Sequence, residues 1–129
     1  MVLSNAYNYV NVLDKAADAS WTRNDVLANN IANADTPNYK RKDVQFETYL
    51  ANAVAGTDSL DDTVGKIDLD ALNATTYTEQ ANLSYRLDGN NVDLSTENVE
   101  LAKNQLKYYT LMGSISSEFN RMKAAIKTT

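Results

Sequence analysis

The side chains able to do chemistry in this 129-residue chain are carboxylates, amides and hydroxyls: it has seventeen aspartates and glutamates but no histidine and no cysteine. Ser-His-Asp and Cys-His nucleophile arrangements are therefore excluded, as are imidazole and thiolate zinc sites. Paired carboxylates remain, and because they are the machinery of glycoside cleavage, a small enzyme acting on the cell wall is one reading to weigh. None of the acids, however, falls in a segment that reads as a rigid, partly apolar cleft, the surrounding that raises a carboxyl pKa. Asp58, Asp61, Asp62, Asp68 and Asp70 lack the alternating oxygen spacing and closing glutamate of an EF-hand, so they read as a solvated acidic loop. Asn73-Ala-Thr and Asn82-Leu-Ser match the glycosylation sequon, a pattern short enough to arise by chance. The expectation is a protein with no catalytic residue, no cofactor and no metal.

Charge narrows the partners. The formal net charge is −5, and it is unevenly spread: residues 34–94 hold eleven acids against five bases, residues 95–129 three acids against five bases. The one basic run, Lys40-Arg41-Lys42, is too short for a nucleic-acid footprint, so neither nucleic acid nor a small-molecule substrate is expected. The first residues have no basic n-region and no apolar h-region, and no stretch approaches a membrane span, so no cleaved signal peptide is expected.

Two helices must position whatever site exists. Val10, Leu13, Ala17, Ser20, Asn24, Leu27 and Ile31 recur at alternating steps of three and four, which predicts a helix over residues 5–33, with Ser4 as its cap. It closes at Asn33-Ala-Asp-Thr-Pro37, because the residue before a proline is pushed out of the α region. Leu101, Tyr108, Ile115 and Met122 fall seven apart, with Gln105, Met112, Phe119 and Ile126 as a second row, so residues 96–127 read as a heptad helix. Asp93 or Ser95 can cap it, and Glu97 and Glu100 near its start suit the helix dipole. Each helix is roughly 45 Å long at 1.5 Å per residue, so the two can pair along most of their length. The fold class expected is mainly α: an antiparallel, coiled-coil-like hairpin with a short irregular and β middle, one structural unit divided at 1–33, 34–94 and 96–129.

The middle is less defined. Residues 43–50 fit either a strand or a short helix, 55–76 read as a mobile loop rich in Asp, Thr and Ala, and 83–87 alternate like a short strand before the turn signal Asp88-Gly89-Asn90-Asn91. With two phenylalanines and one tryptophan beside eight tyrosines, and sixteen asparagines, a large compact core is not expected. A single hairpin buries one face of each helix, so the helices are expected to gain order when neighbours supply the missing surface.

The most specific local feature is Leu27-Ala-Asn-Asn-Ile-Ala-Asn-Ala-Asp-Thr-Pro-Asn-Tyr-Lys40. Amides at Asn29, Asn30 and Asn33 can bond carbonyls of the last helical turn or of a neighbour, Thr36 is held extended by Pro37, and Asn38 tolerates a left-handed backbone ahead of Tyr39. Residues 28–40 closely resemble the N-terminal signature of bacterial flagellar rod and hook proteins, which usually carry glycine where this chain has Asn38. The second run, Tyr85-Arg-Leu-Asp88-Gly89-Asn90-Asn91-Val92-Asp93-Leu94, followed by a heptad helix, resembles the proximal-rod type within the flagellar basal-body rod family. The final helix has Lys107-Tyr-Tyr-Thr-Leu-Met112 in place of the Ser-Tyr-Glu-Ala-Asn-like run of the other rod and hook types.

The resemblance implies a structural subunit of the basal-body rod that polymerises through its terminal helices into the tube that transmits torque and passes exported subunits. It implies export by the flagellar type III apparatus without a cleaved signal peptide, a periplasmic location, and as partners other rod subunits and inner-membrane ring or export-gate components. The assembly seam expected is Leu13, Ala17, Leu27 and Ile31 against Leu101, Tyr108, Met112, Ile115, Phe119 and Met122, within and between subunits. The turn from Asn33 to Tyr39 would set the angle at which the middle leaves the tube. A cytoplasmic helical-hairpin chaperone or adaptor using the same heptads is the alternative.

Overall fold

The computed structural model describes residues 2–56, 58–79, 84 and 86–127. In chain order the elements are α1 (Val2–Ala32), β1 (Lys42–Gln45), α2 (Glu47–Val54), α3 (Leu60–Lys66), β2 (Thr75–Thr78) and α4 (Leu94–Lys127). The long helices α1 and α4 pack antiparallel: Arg23 lies beside Glu100 and Ser20 beside Asn104. The mainly α hairpin with a short β middle is therefore the fold.

Helix boundaries follow from the caps. α1 begins at Val2, earlier than the expected residue 5, which places Ser4 inside the helix rather than at its cap. It ends where expected, with the Asn33 N–H donating to the Asn29 carbonyl at 3.1 Å and the backbone then turning toward Pro37. α4 begins at Leu94, two residues early, because Asp93 caps it: Oδ1 accepts the N–H of Ser95 at 2.9 Å and Oδ2 accepts the Thr96 hydroxyl at 3.0 Å.

The middle segment is more ordered in secondary structure than its composition suggests. Residues 43–50 are a strand and then a helix, hinged at buried Phe46. Within 55–76, where the composition predicts a loop, α3 forms because the Ser59 hydroxyl accepts the Asp62 N–H at 3.2 Å and Val64 finds a buried position. β2 pairs antiparallel with β1, Lys42 opposite Thr78 and Gln45 opposite Thr75. The expected strand at 83–87 rests on Leu83 and Tyr85, which lie outside the described residues, while Arg86-Leu87-Asp88 form a bend and turn with Leu87 fully exposed.

The core is small and lies where this middle segment covers one side of the hairpin. Ala16 and Ala19 of α1 meet Phe46 and Leu72, with Val12, Leu50, Ile67 and Leu111 packed around them. Alanine here removes side-chain bulk from α1, so the middle chain can lie close against it. The most deeply buried apolar side chain of α1 is Leu27, 0% exposed. Leu27→Ala is expected to cost about 2–5 kcal/mol in urea unfolding, whereas Leu106→Ala on the exposed side of α4 should change stability by less than about 0.5 kcal/mol.

Candidate assembly site

Where α1 ends and α4 begins, buried polar groups join the two long helices. Asn30 and Glu97 are both 0% exposed. Every hydrogen-bonding capacity of the Asn30 side chain is used. Its Nδ2 donates to the Lys42 carbonyl at 2.7 Å and to Glu97 Oε2 at 3.0 Å, while its Oδ1 accepts the Lys42 N–H at 3.0 Å and the Tyr39 hydroxyl at 3.1 Å. This one amide therefore links α1, the chain entering β1, and α4.

Glu97 needs a cation, since a buried carboxylate left unpaired costs several kcal/mol. Arg41 supplies it, donating through Nε to Glu97 Oε1, through Nη2 to Asp43 at 2.9 Å and through Nη1 to Glu79 at 3.1 Å. Asp43 in turn accepts a bidentate pair from Arg23, at 2.8 and 3.1 Å, and Arg23 also donates to Glu100 at 3.1 Å. Charges alternate along Glu97, Arg41, Asp43, Arg23 and Glu100, which tie α4 to β1, β1 to α1, and α1 back to α4. Carboxylate neighbours hold both guanidinium groups firmly protonated, through the hydrogen bond from Arg23 to Asp43 and, against burial, through those from Arg41 to Glu97 and Asp43. About two turns beyond Glu97 along α4, buried Asn104 donates to the Ser20 carbonyl at 2.7 Å and accepts the Ser20 hydroxyl at 3.1 Å.

The two sequence motifs clasp each other beside this network. Buried Asn90 donates through Nδ2 to the carbonyls of Asn33 and Thr36, both at 2.9 Å, and its Oδ1 accepts the Val92 N–H at 2.7 Å. The Asn38 N–H donates to the Asp88 carbonyl at 2.8 Å, and the Arg41 N–H donates to Asn91 Oδ1 at 2.6 Å. Asn38 adopts φ 60° and Gly89 φ 75°. Gly89 is favoured by its left-handed backbone, and a Cβ there would also sit 2.6 Å from Asn38 Oδ1, so that side chain would have to shift. Asn33 bonds back to the Asn29 carbonyl at 2.8 Å and its Oδ1 accepts the Thr36 hydroxyl at 3.1 Å; Asn29, Thr36 and Pro37 themselves stay exposed. Val92 is buried and Asp93 is the exposed cap of α4.

The seam residues fall into three groups. Ala17, Leu27 and Met122 are buried; Leu13, Ile31, Leu101, Tyr108 and Ile115 are half-buried; Met112 and Phe119 are 44% and 52% exposed. The two heptad rows of α4 thus differ: the row through Leu101 and Met122 turns toward α1, and the row through Gln105 and Phe119 does not. Trp21, 57% exposed, meets Tyr108 in a tilted ring contact at 5.8 Å between ring centres, and Tyr108 meets Tyr109 at 6.2 Å, so an aromatic band crosses from one helix to the other. Sequence reasoning missed the charged chain and the Ser20–Asn104 link. Glu97 and Asn104 occupy inward heptad positions in step with Leu101 and Tyr108, and that polar interruption of an apolar row is the signal that marks them.

Fold and site together define a helical-hairpin protein in which a polar clasp locks the end of α1 to the start of α4 and whose long helices keep an apolar side exposed. Residues 11–40 match the family described as "Flagella basal body rod protein". The chain is similar to the flagellar basal body rod protein FlgB of Bacillus subtilis, at 32% identity over 88% of this chain and 89% of that protein. Its similarity to FlgB of Cereibacter sphaeroides is 35% identity over 82% and 84% of the two chains, and to FlgB of Escherichia coli K12 34% over 78% and 79%. The chain belongs to the FlgB family of flagellar basal body rod proteins. The alternative of a helical-hairpin chaperone finds no support among these relatives.

Asp43 makes the clasp sensitive to acid. Burial alone would raise its carboxyl pKa, but the hydrogen bonds from Arg23, the Val44 N–H and Arg41 outweigh burial and hold it at about 2, below the ordinary 3.8. A depressed carboxyl contributes stability that is complete above the unfolded value near 4 and is lost as the pH falls through about 2. Asp43→Asn is therefore expected to lower stability at pH 7 by about 2 kcal/mol and to flatten the decline between about pH 4 and pH 2, read from urea midpoints followed by circular dichroism across that range.

Proposed function

We propose that this chain is a structural, non-catalytic subunit of the flagellar basal-body rod, built to pack its terminal helices against those of neighbouring subunits in a tube that transmits torque and passes exported subunits. The observation that carries this reading, with the family membership behind it, is the uncovered apolar side of the α1–α4 pair: Trp21, Tyr109, Met112 and Phe119 are each at least 44% exposed. The middle segment covers the opposite side, so this surface is left for partners. Each large apolar side chain that a neighbour fully covers contributes roughly 1.5 to 3 kcal/mol.

The seam is assigned a divided role. Leu13, Ala17, Leu27 and Ile31 with Leu101, Tyr108, Ile115 and Met122 join the helices of one subunit, while Met112 and Phe119 await the next. The clasp of the two motifs holds the ends of both helices in register and sets the angle at which the middle segment departs. The partners on this reading are other rod subunits and, at the base, components of the inner-membrane ring or export gate, with the chain leaving by the flagellar export route without a cleaved signal peptide and acting in the periplasmic rod.

Hydrogen exchange on the isolated protein and on purified basal bodies tests the reading. Residues 106–127 of α4 and the first half of α1 are expected to gain protection strongly on assembly, while residues 27–43 and 90–100, already closed by the clasp, are expected to gain little. Equal protection of the exposed side in both samples would remove the basis for this assignment.

A further inference from the structure

Outside the contact between α1 and α4, each helix keeps one more heptad stripe on its surface, and the two stripes are chemically opposite. On α1, Asp14, Asp18, Trp21, Asp25 and Ala28 recur at steps of four, three, four and three, and all are exposed. Among the described residues none of these three aspartates forms an ion pair. The bases of α1 point elsewhere: Lys15 donates to Asn73, and Arg23 is held by Asp43 and Glu100. The outer stripe of α1 is thus purely acidic around one tryptophan.

On α4, Tyr109, Gly113, Ser116, Asn120, Lys123 and Lys127 follow the same alternation of four and three, and all are exposed. Lys123 and Lys127 also lack ion pairs among the described residues, whereas Lys103 and Arg121 on another side of the helix are paired with Glu100 and Glu118. A Cβ added at Gly113 would meet nothing within 4 Å, so packing inside the chain does not require glycine there. A glycine in mid-helix weakens the helix, and what it offers in return is a close approach from outside.

Building on the rod-subunit reading, we propose that the α1 stripe of one copy packs antiparallel on the α4 stripe of a second copy, with Asp14 facing Lys127, Asp18 facing Lys123 and Ala28 seated on Gly113. In that register Trp21 covers Asn120 and Asp25 lies over Ser116, so every bulky or charged side chain meets a small or oppositely charged one. The reversed step pattern of one stripe matches the other along its whole length. Within a subunit Ser20 lies beside Asn104, so the second copy is displaced along the helices by about seventeen residues, or roughly 26 Å. A contact that matched each stripe with its own copy would oppose aspartate to aspartate, so charge selects the head-to-tail arrangement. Such a contact joins two different surfaces with an axial shift and repeats without closing as a dimer.

The chain has no cysteine, which makes the register directly testable. Ala28→Cys and Gly113→Cys copies, co-expressed and oxidised in purified basal bodies, are expected to give a mixed disulfide-linked dimer, with neither variant alone giving a comparable product. Asp18→Lys and Lys123→Asp are each expected to reduce incorporation into basal bodies several-fold, and the D18K/K123D double variant to restore it; this rescue separates the contact from a folding defect. Self-linked dimers of either cysteine variant, or incorporation of the chain without mixed dimers and without charge-swap rescue, would overturn the register while leaving the rod-subunit reading intact. Absence of the unmodified chain from basal bodies would overturn that reading and the proposal with it.

Discussion

The carboxylate of Glu97, fully withdrawn from solvent at the first turns of α4, is the constraint to which the rest of the structure answers. A charge in that position is tolerable only if cations and donors surround it, and the chain brings them from far away in sequence: Arg41 ahead of β1 and Asn30 from the end of α1. Arg41 then requires Asp43, and Asp43 requires Arg23. Satisfying one buried acid thus draws together the end of α1, the start of α4 and the start of the sheet. Apolar packing alone would let two long helices slide; a buried ion at a single level pins their register, the role that a polar residue at an inward heptad position plays in coiled coils.

That arrangement divides the molecule into a locked end and an open one. At the locked end the amides of Asn30, Asn33 and Asn90 saturate backbone groups that the helix terminus and the turns leave without partners. Toward the other end the interior thins to alanines, half-buried side chains and an aromatic band shared with solvent. A subunit with this distribution keeps its shape where the chain reverses and offers adhesive surface where the helices run on. Such an economy suits a small chain of a rod-protein family, since length that would have completed a core is instead exposed as interface.

The helix positions, their antiparallel pairing and the two motifs were legible because each rests on local rules: apolar spacing, capping residues and the φ preferences of Pro37, Asn38 and Gly89. The boundaries missed at the start of α1 and α4 were small. The middle segment was harder. Asp, Thr and Ala over residues 55–76 carry no periodicity, and α3 exists because Ser59 caps it and Val64 meets a surface provided by other elements. Lys40-Arg41-Lys42 read as an isolated basic run, and Glu97 as a surface acid complementing a helix dipole. Neither reading contains a clue that they are partners.

What the sequence by itself determined was everything set by neighbours within a turn or two: where the chain is helical, where it must break, which heptad rows are apolar, and, through the length of the two motifs, the family. Tertiary structure alone decided which row of α4 faces inward, that Arg41 and Glu97 share a buried site 56 residues apart in the chain, and that Asn90 closes the turn after α1. The physical reason is that burial and charge pairing depend on long-range geometry. A lone acid has no preferred partner until folding places it in a low-dielectric site where only one guanidinium can reach.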